Sequence, residues 1–404
     1  MRQTDWRDCP SEANIERIRG AFDVEPEVDR ILTRKMRARS LAPYAHLTID
    51  QVVAGLQGLL SARIGAGFTI ENARWLAGGA AKLQMAFDLR WRGLNGTDEF
   101  RVDPMVVRMG PAESTIETSR QREFELLRAV QGHLAAPEPY FVDGDGEWMP
   151  YPALVYAFAE GVTKPPSSGS GQVSGIGMAF SPQWRSKLAP QVTRDLAALH
   201  RIDVDQKSFA ALQVPRPGSN AGILKQIDWW SRVWEEDRQE SEPLIEIAGQ
   251  WLRRNAPATD RVSIVHGDFR SGNFLFSPET GEITAWLDWE LGVVGDRHQD
   301  LAWITAYEFG NVDEDGRTFL ACGLMPVEAL LTDYQDKSGL TVDRDRLRYF
   351  KLFNLWYTTI ICLATCHRSA KGGKSHQDAV VAWLSGLGYL QLEQVRQTLC
   401  EVAR

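Results

Sequence analysis

Two acidic side chains and one amide in the second half of the chain have the types and spacing needed for chemistry. Asp268 and Asn273 lie in the run His-Gly-Asp-Phe-Arg-Ser-Gly-Asn, and Asp288 lies in the later run Leu-Asp-Trp-Glu. One carboxylate could accept the proton of an attacking hydroxyl, while the other carboxylate and the amide could hold Mg²⁺ against nucleotide phosphates. These residues therefore predict phosphoryl transfer, provided that the fold brings them together.

Short strands and a hairpin are the elements that would bring them together. The apolar residues 263–265 predict a buried strand that delivers Asp268 into a loop. Residues 274–276 start a second strand, a Pro-Glu-Thr-Gly turn follows, and residues 283–287 predict a returning partner strand. The hairpin should then end with Asp288 at the same mouth as the loop.

The spacing His-x-Asp-x-x-x-x-Asn is that of a kinase catalytic loop. Together with the later Leu-Asp-Trp-Glu, it resembles the aminoglycoside phosphotransferase-like family of small-molecule kinases (the APH and choline kinase type), over roughly residues 68–365. The resemblance implies that Asp268 is the catalytic base and that Asn273 and Asp288 are the metal ligands. It also implies ATP or GTP, with Mg²⁺, as cofactors.

Three residues near the loop are predicted to support it. His266 is expected to bond the loop backbone rather than to take part in the reaction. Asp300 heads an apolar helix and would either cap it or, as the resemblance implies, brace the catalytic loop, which is the role we favour. Arg270 would either touch phosphate or neutralise the loop, and the sequence does not decide between the two.

Upstream, three predicted strands would form the sheet that carries the nucleotide site. Residues 68–77, 82–92 and 100–109 show the two-residue periodicity of strands. The turn between the first two contains Gly78 and Gly79. The resemblance places this turn over the ATP phosphates, where backbone N–H groups can bind anions with little steric hindrance.

The third strand carries Arg108 where most kinases have a lysine. Family members linked to acyl-CoA dehydrogenases also have arginine here, so the resemblance is closer to that branch and implies that Arg108 binds the α and β phosphates. It implies further that Glu123, on a helix predicted over residues 117–131, pairs with Arg108, whereas a solvated helix surface is the alternative. If Arg108 faces solvent, Lys82 becomes the candidate.

Two further strands, at 140–142 and 153–158, lead to a predicted hinge between two lobes. By resemblance, backbone groups near Tyr156 and Phe158 would hydrogen-bond the adenine ring.

The order of these elements predicts an α+β fold, bilobal and protein-kinase-like. The predicted boundaries are 1–66 for an N-terminal helical extension, 67–158 for a strand-rich, nucleotide-binding N-lobe, and 159–404 for a helical C-lobe that carries the catalytic loop and the substrate-binding helices. The extension shows apolar stripes that would pack on the body or form a homodimer with a second subunit. Thr48 is the predicted cap of its last helix.

A tryptophan-rich helix is predicted over residues 223–234. Trp230 and Trp234 share one face, for which core packing is favoured and the lining of a substrate pocket is the alternative. The acidic run 235–237 is expected to be a solvated helix end, which a cationic substrate could also use.

Composition narrows the classes of function. The net charge of −8 and the pI of 5.5 argue against a nucleic-acid-binding protein. Five scattered cysteines are typical of free thiols in a reducing compartment, and no apolar run approaches the ~20 residues that a membrane-spanning helix needs. We therefore expect a cytoplasmic protein that binds neither nucleic acid nor membrane.

The sequence as a whole predicts a kinase that moves the γ-phosphoryl group of ATP to a hydroxyl of a small molecule. Arg108 and the aromatic helix favour a hydroxylated apolar metabolite or a hydroxyacyl-CoA as the acceptor, with an aminoglycoside or macrolide antibiotic as the alternative. A non-catalytic nucleotide-binding regulatory protein is the alternative of another class. It is disfavoured because Asp268, Asn273 and Asp288 are all present.

Overall fold

The computed structural model describes residues 5–41, 45–76, 82–94, 99–111, 114–165, 178–372 and 378–403. The helices in these ranges are α1 (Glu12–Ala21), α2 (Pro26–Ala38), α3 (Ile49–Ile64), α4 (Arg120–Val130), α5 (Pro182–Arg201), α6 (Ala221–Asp237), α7 (Pro243–Arg254), α8 (His298–Ile304), α9 (Val327–Ser338), α10 (Arg344–Ile360), α11 (Cys366–Gly372) and α12 (Asp378–Val402). The strands are β1 (Thr69–Trp75), β2 (Leu83–Trp91), β3 (Arg101–Met109), β4 (Pro139–Asp143), β5 (Ala153–Ala157), β6 (Val262–Val265), β7 (Phe274–Phe276), β8 (Ile283–Trp286), β9 (Val293–Asp296), β10 (Asn311–Val312), β11 (Phe319–Ala321) and β12 (Met325–Pro326).

A five-stranded antiparallel sheet in the order β1-β2-β3-β5-β4 forms the N-terminal lobe. Alternate residues of β3 face opposite sides of this sheet, as the pleat requires. Met105 and Val107 pack in the cluster that includes α3, whereas Val106 packs in the cluster that includes the catalytic hairpin. The same alternation turns Arg108 toward the catalytic side.

A mainly helical region follows the sheet, so the predicted α+β, kinase-like fold is confirmed. Two short antiparallel strand pairs lie within this region: β6 pairs with β9, and β7 pairs with β8. Helix α7 and the small sheet β10-β11-β12 were not predicted from the sequence. We retain the lobe boundaries after residues 66 and 158 as a proposal.

The N-terminal helices pack on the body of their own chain. Val28, Ile31 and Leu32 of α2 are buried in one apolar cluster with Ile227 and Trp229 of α6. The stripe that could have served a second subunit is therefore covered within this chain. The last helix of the extension begins as predicted, because the Thr48 hydroxyl accepts a hydrogen bond from the backbone N–H of Gln51 in a capping box.

Two of the three residues in the acidic run at the end of α6 are not solvated, which corrects the prediction for these two. Glu236 and Asp237 are buried, and the Asp237 carboxylate is hydrogen-bonded to both Lys35 and Arg39 of the N-terminal helices. Burial opposes ionisation, but these two cations lower the pKa of Asp237 below its ordinary value. Asp237 serves as an internal anchor for the extension, and neither Glu236 nor Asp237 is accessible to a cationic substrate. Glu235, in contrast, is 25% exposed at its side chain and pairs with Arg7 and Arg238.

The tryptophans of α6 are core residues. Trp230 and Trp234 are each 4% exposed, and Trp230 stacks on Trp229 and on Tyr357 with ring centroids about 5 Å apart. The favoured interpretation is confirmed, and the aromatic helix no longer supports an apolar acceptor. No helix within the described part of the chain is both long and apolar enough to cross a membrane.

We predict that Asp237→Ala strongly destabilises the protein. The substitution leaves Lys35 and Arg39 buried without their carboxylate, and breaking a buried ion pair costs about 3–5 kcal/mol. Urea unfolding followed by tryptophan fluorescence measures the change. Glu12→Gln is the matched control, because Glu12 pairs with Arg37 on the exposed side of the same extension. Equal midpoints for Asp237→Ala and the wild type would contradict the prediction.

Candidate active site

Strand β6 carries the chain into the predicted catalytic loop, and a glycine turns it there. β6 is held by β9, with Val265 opposite Val293. Gly267 has a φ of 81°, and a Cβ at this position would lie 2.4 Å from the carbonyl oxygen of Leu291. Because no other residue fits this backbone and this contact, glycine is required to direct Asp268 toward the mouth of the site.

Asp300 braces the loop, which is the role that the favoured interpretation gave it. Its buried carboxylate accepts the backbone N–H groups of His266 at 2.8 Å and of Gly267 at 2.9 Å. It also lies 3.2 Å from Nε2 of His200, whose Nδ1 contacts the Tyr334 hydroxyl at 2.9 Å. Asp300 is not the cap of α8, because that helix begins after Arg297.

His266 joins the loop to the hairpin. Its Nδ1 accepts the backbone N–H of Asp268 at 3.2 Å, so Nε2 carries the hydrogen that it donates to the carbonyl oxygen of Leu287 at 3.0 Å. Burial lowers the pKa of His266 and favours this neutral ring. Because Leu287 directly precedes Asp288, the histidine ties the two carboxylate-bearing segments together.

The hairpin of β7 and β8 returns the chain to the loop. Phe274 stands opposite Trp286, and the N–H of Leu287 donates to the carbonyl oxygen of Asn273 at 2.7 Å. The chain then turns through Asp288, whose φ of 65° is uncommon for a residue other than glycine. Left-handed backbone conformations of residues other than glycine are concentrated at functional sites, where the surrounding structure holds the strained backbone so that the side chain points in one direction.

Asp268 is held by three neighbours. Its Oδ1 accepts hydrogen bonds from Nε1 of Trp303 at 2.7 Å and from Nε of Arg270 at 2.6 Å, and its Oδ2 accepts one from Nδ2 of Asn273 at 2.6 Å. Burial raises the pKa of Asp268 above its ordinary value, and the charge of Arg270 opposes that rise. The carboxylate therefore has a fixed orientation and is a stronger base than an exposed aspartate.

Arg270 donates a hydrogen bond to the Asp268 carboxylate. This is the contact expected if Arg270 neutralises the charge of the loop. Its guanidinium carbon sits 5.0 Å from the centroid of the Phe309 ring, and its Nη1 donates to the carbonyl oxygen of Ser271 at 3.2 Å. These contacts keep the positive charge beside Asp268.

Asn273 and Asp288 offer oxygen atoms that fit a hard cation. Both hydrogen bonds donated by the Asn273 side chain use its NH₂ group and go to Asp268, so its Oδ1 remains for other partners. Asp288 is 35% exposed at its side chain and uses Oδ1 for Arg108. Within the described residues, no three His, Cys, Asp or Glu side chains cluster as a metal site. Mg²⁺ is commonly bound by one or two carboxylates with phosphate oxygens, so the two residues suit it.

Arg108 is buried and points into the site from β3. Its guanidinium lies 2.5 Å from Oδ1 of Asp288, 3.2 Å from Oε1 of Glu290 and 3.4 Å from Oε1 of Glu123. Burial opposes its charge, but these carboxylates hold the pKa of Arg108 well above its ordinary value. The predicted pair with Glu123 is present in the structure, and the solvated alternative is wrong because Glu123 is only 2% exposed.

Glu290 is a central residue that the sequence interpretation missed. Its Oε2 accepts a hydrogen bond from the Thr118 hydroxyl at 2.7 Å and lies 3.0 Å from Lys82 and 3.2 Å from Arg120. Burial opposes its ionisation, but Lys82 and then Arg108 hold the pKa of Glu290 far below its ordinary value. Its position two residues after Asp288, inside the quoted Leu-Asp-Trp-Glu run, was the available signal.

Lys82 is already bound by the protein. Its ammonium group contacts the Ser114 hydroxyl at 2.7 Å, the carbonyl oxygen of Ile116 at 2.7 Å and the carboxylate of Glu290 at 3.0 Å. An ammonium group has three hydrogens to donate, and these three partners use them. Lys82 is therefore a structural cation, which leaves Arg108 as the candidate for binding phosphate.

Trp303 is a second residue that the sequence interpretation missed. It lies three positions after Asp300 on α8, so both side chains face the loop from one side of the helix. Its indole contacts Phe309 at 4.9 Å and Tyr357 at 5.8 Å between ring centroids. The i, i+3 spacing from an acidic residue near the loop could have identified it.

Some of the backbone N–H groups that were predicted to hydrogen-bond adenine already make hydrogen bonds within the protein. The N–H of Ala157 donates to the carbonyl oxygen of Glu138 at 2.8 Å, and that of Phe158 donates to Pro104 at 2.9 Å. These N–H groups are therefore already bound. The next one along the chain, that of Ala159, has no hydrogen-bond partner among the described residues.

The remaining nucleotide-site predictions fall on Tyr156 and on the glycine turn. Tyr156 is 8% exposed and packs in the core beneath the sheet, where burial raises the pKa of its hydroxyl to about 12. Gly78 and Gly79 lie outside the described residues.

The fold has an antiparallel five-stranded sheet followed by a mainly helical region, and in its loop Asn273 is hydrogen-bonded to Asp268. Together these features define a kinase of the small-molecule type. Comparison with known sequences agrees, since residues 93–349 match the model of the family described as "Phosphotransferase enzyme family". The match covers more than half of the chain, and the protein belongs to this family.

Several known sequences are similar to this chain. The probable acyl-CoA dehydrogenase IBR3 of Arabidopsis thaliana is 26% identical over 72% of this chain and 37% of its own length. Acyl-CoA dehydrogenase family member 11 of Rattus norvegicus is 26% identical over 55% of this chain and 29% of its own length. The chain thus spans only about a third of these relatives. Streptomycin 3″-kinase of Streptomyces griseus is 29% identical over 27% of this chain and 37% of its own length.

Solved structures share the fold. A Ralstonia eutropha protein assigned to the aminoglycoside phosphotransferases has a TM-score of 0.61 and 19% identity, over 86% of this chain and 98% of its own. An APH(2″) enzyme in complex with GDP and kanamycin has a TM-score of 0.51 and 15% identity, over 85% of this chain and 98% of its own.

We predict that Arg270→Gln moves the acid limb of the activity profile to higher pH. The arginine charge lowers the pKa of Asp268, so its removal should raise that pKa further. A base works when deprotonated, and activity is lost as pH falls through its pKa. The measurement is kcat/KM against pH. Arg270→Lys keeps the charge and should retain the wild-type limb, whereas an unshifted limb in Arg270→Gln would refute the coupling.

Proposed function

We propose that this protein transfers the γ-phosphoryl group of ATP or GTP, with Mg²⁺, to a hydroxyl group of a small molecule. The observation that carries the proposal is the convergence of Asp268, Asn273 and Asp288 at one mouth, with Arg108 bound to Asp288 at 2.5 Å. These are the base, the metal-holding oxygens and the phosphate-binding cation that phosphoryl transfer requires.

In this proposal, Asp268 receives the acceptor. The acceptor oxygen attacks the γ-phosphorus, the bond from that phosphorus to the β-bridging oxygen breaks, and the hydroxyl proton passes to the Asp268 carboxylate. Trp303 and Arg270 hold Asp268 in position, so little reorganisation accompanies the transfer. Mg²⁺ held by Asn273 and Asp288 would neutralise charge on the phosphates.

Arg108 would clamp the phosphates from the sheet. In the structure its guanidinium contacts Asp288, Glu290 and Glu123. Phosphate oxygens would take the place of Asp288 on Arg108, which frees that carboxylate for Mg²⁺. Glu290 and Glu123 would keep the guanidinium oriented meanwhile, because both are buried and fixed by Arg120.

Asp268→Asn should abolish phosphotransfer while nucleotide binding is kept. The amide has nearly the same shape but cannot accept the proton, and general-base groups contribute about 10²–10⁴-fold. The assay is product formation, with calorimetry of the Mg²⁺–nucleotide complex alongside. Asp288→Ala is the complementary variant and should lose the Mg²⁺ dependence of nucleotide affinity. Turnover within about threefold of the wild type in Asp268→Asn would overturn the assignment.

For the acceptor, we propose a hydroxylated acyl thioester. Aromatic groups of α8 and the segment that follows it lie near the loop or beyond it: Trp303 donates a hydrogen bond to Asp268, Phe309 lies beside Trp303, and Tyr307 stacks on Phe319 with ring centroids 5.4 Å apart. Tyr307 is 69% exposed and lies two residues before Phe309, so the segment after α8 presents an exposed aromatic ring.

Two further observations support this acceptor class. The similar curated sequences include acyl-CoA dehydrogenases roughly three times as long as the matched region, and a kinase carried on such a chain would share its acyl substrates. In addition, two of the three acidic residues at 235–237, which could have attracted a cationic antibiotic, are buried, and the third, Glu235, is already paired with Arg7 and Arg238.

Tyr307→Ala should raise KM for a hydroxyacyl-CoA about 2- to 10-fold with little change in kcat, since an aromatic contact contributes about 0.5–1.5 kcal/mol. The screen compares hydroxyacyl-CoAs, hydroxylated free acids and aminoglycosides as acceptors. Tyr389→Ala, on the exposed face of α12, is the control. Preferred turnover of an aminoglycoside would overturn the acceptor class but not the phosphotransfer.

A further inference from the structure

The N-terminal helices make direct polar contacts with α4, the helix that carries Glu123. Glu25 immediately precedes α2, and its Oε2 accepts a hydrogen bond from Nη1 of Arg122 at 2.7 Å. Glu27 in the first turn of α2 accepts a hydrogen bond from the hydroxyl of Ser119, the N-cap residue of α4. The start of α4 is thus bound to the start of α2.

These contacts lie on a different face of α4 from the one that carries Glu123 toward Arg108. Arg122 and Glu123 are neighbours in sequence, and successive side chains on a helix point about 100° apart. Arg122 is directed to Glu25 and lies with its guanidinium carbon 5.5 Å from the ring centroid of Trp229, while Glu123 is directed to Arg108. The two ion pairs fix the rotation of α4 about its axis.

The N-terminal helices are themselves anchored on the C-terminal lobe. Arg232 of α6 donates to Asp29 at 2.6 Å and to the Thr33 hydroxyl at 3.1 Å. Together with the buried Asp237 contacts, this makes α2 a rigid strut between α6 and α4. Ion pairs that are buried and supported by several partners hold geometry better than exposed ones.

We propose that Glu25 and Glu27 are positioning residues for the phosphate site. They hold α4 at the rotation and height at which Glu123 reaches Arg108, so the N-terminal extension sets nucleotide affinity without touching the nucleotide. This inference rests on the proposed role of Arg108 in phosphate binding.

The test compares two double variants that remove the same charge from the extension. Glu25→Gln with Glu27→Gln disrupts the contacts to α4, while Glu12→Gln with Glu16→Gln disrupts only exposed pairs to Arg37 and Arg19. The readouts are calorimetric Kd for Mg²⁺ with a non-hydrolysable ATP analogue, kcat/KM for ATP, and thermal unfolding. The first variant should weaken both nucleotide parameters roughly 2- to 30-fold, the range for residues that touch neither ligand, and the second should match the wild type.

A background that lacks Arg108 separates positioning from simple stabilisation. In Arg108→Ala the Glu25→Gln, Glu27→Gln pair should cause no further loss of affinity, because the residue that it positions is gone. Lower thermal stability with wild-type Kd, or an equal loss in both backgrounds, would overturn the inference alone. Failure of the wild-type protein to bind any Mg²⁺–nucleotide would overturn the proposed function together with it.

Discussion

One buried guanidinium, that of Arg108, links three separate parts of the structure. It contacts Asp288 at the end of the hairpin, Glu290 in the following turn and Glu123 on α4. A positive charge in this interior would be costly without carboxylates, and the carboxylates would be equally costly without it. The sheet, α4 and the catalytic hairpin are therefore constrained to meet at one point. Arg120 and Lys82 complete the network by balancing Glu123 and Glu290.

The catalytic loop is fixed by a different principle, the satisfaction of backbone groups. The buried carboxylate of Asp300 accepts two consecutive loop N–H groups, and His266 connects the loop to the carbonyl oxygen before Asp288. Polar groups buried in this way must be paired, because an unpaired one costs about 1–3 kcal/mol. These hydrogen bonds hold the loop backbone immediately before Asp268 and so help to fix where its carboxylate lies.

The N-terminal extension connects α6 to α4. Helix α2 is anchored on α6 by Asp29 and Asp237 and reaches α4 through Glu25 and Glu27. The charged side chains of the extension therefore contact the helix that carries Glu123, the partner of Arg108. The extension, which the sequence predicted to pack on the body or on a second subunit, is thus part of the support for the proposed phosphate clamp.

The sequence by itself determined the kinase-like fold and which segments would meet at the site. The spacing of Asp268, Asn273 and Asp288 requires a loop and a hairpin. The two-residue alternation along β3 places Arg108 on the same face of the sheet as Val106. Both are local properties that chain geometry enforces. Tertiary structure alone decided that Glu290, rather than solvent, receives Lys82, that Trp303 binds the predicted base, and that the acidic end of α6 is buried. Each of these contacts depends on partners from distant parts of the chain. The burial of a side chain and the charges around it are set by everything packed against it, so they leave no recognisable pattern in the adjacent sequence.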